Sequence, residues 1–369
     1  MNKLLKTTLK DKQRIIVISD IHGGLEHLDH LLDKVGLCDE DMLILLGDFI
    51  EKGPQNLQML YRAILLNERE NTYILSGNCE SFVHQMITQE ERAEMIHDYI
   101  QKVSYPSLIA DLYEKSCGVD LKKTKVSGET VQAHLQEAYS YELDFLKQLP
   151  WGLVAPPFIF VHAGIESEEV IERKTLLAYP AFYETGHELD KTVVVGHWPV
   201  LNYIDDRLQG NPILDFPAKI LCLDGGYSVK WHGQVNCLVI EKEGEHFEYS
   251  TFYSDDLTER EVKQFDESML ELHLRTQPPF KVMWDDNRIE VIEKLPEFSL
   301  CKKTSCGEVG LVKNEFISES DAGHYCNDDY IFKIHRLKVG DKVRYIDAYG
   351  AYAFVKYKHE YGWIPMCCL

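Results

Sequence analysis

Five short apolar runs, each rich in β-branched or aliphatic residues and each of strand length, are followed within two residues by a side chain with an oxygen or nitrogen donor. The runs are Arg14–Ser19, Met42–Leu46, Thr72–Ser76, Phe158–Val161 and Thr192–Val195. After them stand Asp20-Ile21-His22, Gly47-Asp48, Gly77-Asn78, His162-Ala163-Gly164 and Gly196-His197. The first three endings recur about thirty residues apart, the spacing of successive strand–helix units. Leu25–Val35 and Gln55–Leu66 supply the helical patterns between them, with Pro54 near where proline suits a helix start. Such units imply parallel strands with right-handed crossovers, and ligands bind at the carboxyl edge of sheets built that way. A single Asp after a strand is commonly a helix cap, and a single Gly-Asn is usually a turn. Five donor-bearing endings in order call for another explanation.

The rest of the chain divides by composition. Ser81–Leu149, dense in Glu, Gln, Lys and Met, is expected to be a mostly helical insertion with an exposed loop over Ser116–Glu129. Strand patterns return between Ile213 and Thr251. Asp256–Arg275 carries the pattern of an amphipathic helix, and Gln277-Pro278-Pro279 that of a linker. The tail alternates short β-like stretches with turns and is crowded with tyrosine, which predicts a small SH3-like β-barrel. The expected division is thus a catalytic domain over 1–255 (the insertion spanning 81–150), a helix and linker over 256–280, and an SH3-like module over 281–369.

Charge and cysteine content narrow the partners. A net charge of −21 argues against a nucleic-acid polymer, whose backbone needs clustered Lys and Arg. A small phosphate ester or a phosphorylated protein remains compatible, because a metal centre supplies positive charge locally. No run approaches the roughly 18 apolar residues of a membrane span, and the start MNKLLKTTLKDKQ has no signal-peptide core, so a cytoplasmic protein is expected. The ten cysteines are scattered, and Cys301, Cys306 and Cys326 match no common zinc spacing.

The donor types suggest a dinuclear site. Two adjacent cations need a shared ligand, and a carboxylate suits the bridge, a role expected of Asp48. Asp20 and His22 would complete one metal site, and Asn78, His162 and His197 the other. Oxygen and nitrogen donors without thiolate suit Mn, Fe or Zn. Such a pair lowers the pKa of a shared water, giving hydroxide at neutral pH that attacks phosphorus in line with the leaving oxygen.

The segments SDIHGG, GDFIEKGP, GNCE, FVHAGI and VVVGHWP closely resemble the five ordered blocks of calcineurin-like metallophosphoesterases. Within these, the chain resembles the phosphoprotein phosphatase branch, which includes bacterial Ser/Thr phosphatases and symmetrical diadenosine tetraphosphatases. ELDFLKQLPW and LDGGYSV read like that branch too, and the likeness covers roughly residues 14–241. It implies an α/β fold, a four-layer β-sandwich flanked by helices, with two bound divalent metals, manganese the expected one. The tail lies outside the likeness; a Pro-rich peptide, or contact with the chain's own catalytic domain, is among the partners weighed for it.

Two blocks depart from the pattern. Where the second usually ends in Asp-Arg-Gly, this chain has Glu51-Lys52-Gly53. The resemblance assigns the Arg to the substrate phosphate; Lys52 keeps the charge but not the bidentate fork. Asn78 is the other residue expected on that phosphate. In the third block Cys79 replaces the His that protonates the leaving oxygen and is oriented by the Asp, here Glu51. Asp48, Asn78, Cys79 and Glu51 are therefore the candidate catalytic residues. General acid catalysis contributes typically about 10²–10⁴-fold, most for a poor alkoxide leaving group. A thiol with a reference pKa of about 8.5 could donate a proton, but on a shorter arm. Three functions follow: a Ser/Thr phosphatase-like enzyme, a hydrolase of diadenosine polyphosphates or small phosphodiesters, or a catalytically weak protein that binds phosphorylated partners.

Overall fold

The computed structural model describes residues 3–203, 208–255, 257–265 and 279–369. The chain forms two compact units: Met1–Val200, Asn211–Val229 and Gly233–Ser254 in the first, and Leu201–Gly210, Lys230–His232 and Asp255–Leu369 in the second.

Two sheets make the centre of the first unit. Strand β2 (Lys12–Ser19) pairs in parallel with β3 (Met42–Leu45), and β3 with β4 (Thr72–Ile74). Two antiparallel strands, Asn236–Glu243 and His246–Tyr253, complete this five-stranded sheet. In the six-stranded sheet, β6 (Phe158–Val161), β7 (Thr192–Val195) and β9 (Ile220–Cys222) run parallel, with β1 (Leu4–Lys6) and β5 (Gly152–Ala155) at one edge and β8 (Ile213–Asp215) at the other.

Alternation along β2 shows why the sheets stack. Ile15 and Val17 point into a dry layer shared with Leu153, Phe158, Phe160, Val194 and Leu221 of the other sheet. Ile16 and Ile18 point the other way, against the helices. A strand buried on both faces must read as a continuous apolar run, as RIIVIS does. Each buried aliphatic side chain contributes roughly 1.5–3 kcal/mol.

The helices cover the outer face of the five-stranded sheet. Leu25–Val35 buries Leu28, Leu31 and Leu32, spaced to fall on one helical stripe. The insertion is helical as its composition predicts: Asn78–Thr88, Ala93–Lys102, Leu108–Cys117, Gly128–Ala138 and Ser140–Gln148. A strand pair absent from the sequence reading, Leu4–Lys6 alongside Gly152–Ala155, forms one edge of the six-stranded sheet. Three residues are too short for a periodic signal.

The second unit corrects two expectations. Thr258–Glu261, within the stretch predicted to be helical, is a strand paired antiparallel with Lys342–Tyr349. The partner's backbone, the Glu259–Lys342 ion pair at 2.7 Å and the Arg260 guanidinium over the Tyr345 ring outweigh local helical preference. The remainder of that predicted helix, 266–275, lies outside the described residues, as do Gln277 and Pro278 of the linker. In place of an SH3-like barrel, the described residues of this unit form separate sheets of four, three, two and two strands. Phe298, Phe332, Phe354 and Trp363 share its main core. The ten cysteines are free thiols. No helix among the described residues is long and apolar enough to cross a membrane.

Candidate metal and phosphate site

All six predicted ligands sit just past the carboxyl ends of parallel strands: Asp20 and His22 after β2, Asp48 after β3, Asn78 after β4, His162 after β6 and His197 after β7. Asp48 lies at the meeting point. Its carboxylate is 3.9 Å from His22 Nε2 and 3.4 Å from His162 Nε2. The ligand atoms of His22, Asp48 and Cys79 lie within 4.8 Å of one another, and so do those of Asp48, His162 and His197. Two donor groups therefore share one carboxylate. His162 Nε2 is also 3.1 Å from Asn78 Oδ1. Asp20 accepts the His197 backbone N–H on both oxygens, at 3.2 and 3.0 Å, and the Ser19 hydroxyl on one.

The backbone bends sharply to bring these groups together. Asp20, His22, Asp48 and His197 have φ of 52°, 43°, 48° and 66°, a left-handed region that side chains other than glycine's rarely adopt. Strain of about 1–3 kcal/mol per residue persists where the surrounding structure enforces it, as at functional sites. The glycines beside the ligands make room. A Cβ on Gly77 would stand 2.2 Å from Asp48 Oδ1, and one on Gly196 would stand 2.2 Å from Asp20 Oδ2.

Glu80, which the sequence reading passed over, locks two of the loops. Its Oε2 accepts the N–H groups of Gly77 (2.7 Å) and Asp48 (2.9 Å), and its Oε1 those of Phe49 (2.9 Å) and Ile50 (3.2 Å). Glu three residues past the helix cap Gly77 is a capping-box position, and that spacing was the available signal. Asp224 was also missed. It follows β9, is buried, and receives the Gly226 N–H at 2.7 Å. The run KILCLD carried the same sign as the other five endings.

The electrostatics suit bound cations. Burial, and then the Asp48 charge, push Asp20 well above the usual carboxylate range. Burial and Asp20 do the same to Asp224. Burial opposes ionisation of Asp48 too, but His162, His22 and Lys52 outweigh it and hold that carboxyl below its ordinary value. Lys52, lowered by burial, is raised further by Cys79, Asp48, Asp20 and Asp224 and stays protonated. Burial and the Lys52 charge lower His22 to about 3, and burial and His162 lower His197 to about 3, so both rings are neutral, the form that binds metals. His162 Nδ1 lies 2.9 Å from the Leu46 carbonyl; donation there leaves the Nε2 lone pair toward Asp48. Three buried carboxylates beside one ammonium, lined with neutral imidazoles, fit a divalent pair.

The two departures from the pattern take separate paths. Cys79 is buried, and its thiol donates to Asp48 Oδ2 at 3.1 Å while its N–H donates to Asp48 Oδ1 at 2.8 Å. Burial and the Asp48 charge raise the thiol well above its ordinary value. Glu51, expected to orient Cys79, instead accepts the Tyr99 hydroxyl (2.5 Å) and the Leu108 N–H (2.8 Å). Its φ of 72° turns it toward the insertion, so it anchors those helices and Asp48 is the thiol's partner.

The description of the calcineurin-like phosphoesterase family matches residues 13–216. Over 68 residues the chain is 35% identical to serine/threonine-protein phosphatase PP1-delta of Caenorhabditis elegans, covering 18% of this chain and 22% of that one. Over 80 residues it is 32% identical to phosphodiesterase YfcE of Escherichia coli, covering 20% and 44%. The chain therefore spans less than half the length of these relatives. A Saccharomyces cerevisiae protein serine/threonine phosphatase aligns over 68% of this chain and 82% of its own, with 12% identity and a TM-score of 0.41. The matched stretch contains every ordered block and all six donor positions, and the chain belongs to the calcineurin-like phosphoesterase family of phosphate-ester hydrolases.

Proposed function

We propose that the chain is a dinuclear metal-dependent phosphoesterase with a phosphoprotein phosphatase-like core, working best on esters whose leaving group departs without a proton. The observation that carries the dinuclear reading is the Asp48 carboxylate shared between the two donor groups. Asp20 and His22 would hold one divalent cation, Asn78, His162 and His197 the other, and Asp48 both. The pair, manganese being the expected metal, supplies an activated water and neutralises charge on the phosphoryl oxygens.

The chain's own residues do the rest. Lys52 offers a half-buried positive charge to the phosphate as a point, without the fork of an arginine. Asn78 is the second polar residue proposed on that phosphate. Cys79 commits its proton to Asp48, 3.1 Å away, on an arm shorter than that of the histidine it replaces. Without general acid help, serine and threonine alkoxides leave slowly, while phenolates and phosphates are affected less. This favours aryl esters, diesters and anhydrides over phosphoserine.

The test is a panel of aryl, alkyl, diester and dinucleoside polyphosphate substrates with added Mn²⁺, alongside metal analysis of the purified protein. Asp48→Asn should lower metal-dependent turnover by at least about 100-fold. Full turnover in that variant, or a strong preference for phosphoserine peptide, would overturn the proposal.

A further inference from the structure

Outward from Asn78 a cavity of about 390 Å³ opens between the insertion and the segment after His162. Phe82, Leu177 and Ala178 give it apolar lining. Phe82 packs edge-on against Tyr99, their centroids 4.8 Å apart, so its ring is held in place. Arg92, Arg173 and Lys174 line the cavity too, Arg173 and Lys174 from the helix Arg173–Ala178 that also carries Leu177 and Ala178. Among the described residues neither guanidinium forms an ion pair; Arg92 makes one hydrogen bond, from Nε to Gln89 Oε1 at 2.9 Å, which leaves its outer nitrogens open. In a chain of net charge −21, two arginines facing one cavity without a carboxylate repel each other at a cost. Burial, and then the Arg92 charge, lower the pKa of Arg173.

We propose that this cavity receives the leaving group of the substrate, its flat apolar body against Phe82 and Leu177 and a second anionic group on Arg92 and Arg173. The inference rests on the phosphoesterase reading above and narrows its substrates to esters with an anionic aromatic leaving group. Asn78 joins the two regions, because its Oδ1 faces His162 while its side chain also lines the cavity. A guanidinium pairs with carboxylate and phosphate alike through charge-assisted hydrogen bonds.

The experiment compares phenyl phosphate, 4-carboxyphenyl phosphate and hydroquinone bisphosphate as substrates of the full chain with Mn²⁺. In parallel, calorimetry measures binding of phenylphosphonate and 4-carboxyphenylphosphonate, which does not depend on turnover. An anionic ring substituent should raise kcat/KM and phosphonate affinity by about tenfold or more, the worth of one charge-assisted hydrogen bond. Whichever of the two anions gives the larger ratio identifies the group. Arg92→Ala and Arg173→Ala should bring the ratio toward one, and Arg173→Lys should keep part of it. Equal handling of charged and uncharged rings by the unaltered chain, or an unchanged ratio in both alanine variants, would overturn the subsite. Absence of turnover on every ester, with the phosphonate preference intact, would sink the enzymatic proposal and leave the subsite standing.

Discussion

Replacing Glu80 by Gln probes whether the site is held from behind. The carboxylate receives four backbone N–H groups, two on each oxygen, from the loops that carry Asp48 and Asn78. Burial and the Asp48 charge push Glu80 up to about 7, so the comparison belongs at pH 8, where it is ionised. Glutamine keeps the shape but offers one acceptor oxygen, so two buried N–H groups then face an NH₂. At about 1–3 kcal/mol per orphaned donor the cost is about 2–6 kcal/mol. That is a large part of the 5–15 kcal/mol typical of folded domains. With a urea slope of about 3 kcal/mol/M, the unfolding midpoint should fall by about 0.7–2 M. The same loosening releases Asp48 and Asn78, so Mn²⁺ affinity should drop about 10–100-fold, as for other residues that orient metal ligands. Urea titration and Mn²⁺ calorimetry read the two effects independently. A midpoint within about 0.2 M of the parent, with unchanged Mn²⁺ affinity, would refute the reasoning.

Two further outcomes concern stability. Phe160→Ala empties a fully buried position between the two sheets and should cost about 3–5 kcal/mol, seen as a lower urea midpoint with metal stoichiometry retained. In the second unit, burial and then Lys333 lower the buried His335 to about 4. Its unfolded value is about 6.5, so the unfolded chain takes up the proton first, and stability present above pH 6.5 is lost as pH falls toward 4. The loss amounts to about 3 kcal/mol by pH 4. Urea midpoints across that range should fall for the parent and stay flatter for His335→Gln; parallel curves would contradict the assignment.

The strands behind the site were legible because they are buried on both faces, which forces unbroken apolar runs such as RIIVIS and TVVV. Their endings were legible because a polar residue abruptly follows each run. Asp224 belonged to the same series, yet a three-residue strand gave it too little weight. Glu80 was hidden for another reason: its four partners are backbone N–H groups, which leave no mark on residue identity beyond the capping spacing. Glu51 misled because the likeness placed it beside Cys79, whereas its left-handed backbone carries the carboxylate to Tyr99 and Leu108. Thr258–Glu261 misled because its helical pattern is local, and its hydrogen-bonding partner lies more than eighty residues away.

Residue order alone settles which side chains stand at strand ends and which elements cover them, since burial and periodicity are written into the pattern of apolar positions. Which oxygen faces which nitrogen is another matter. Sharing of Asp48 by two donor groups, the lock supplied by Glu80, and the meeting of Arg92 and Arg173 at one cavity join segments up to 149 residues apart in the chain. Those relations exist only once two sheets have stacked and helices have packed on them, because distance and dielectric, which decide pKa and affinity, are properties of the folded arrangement.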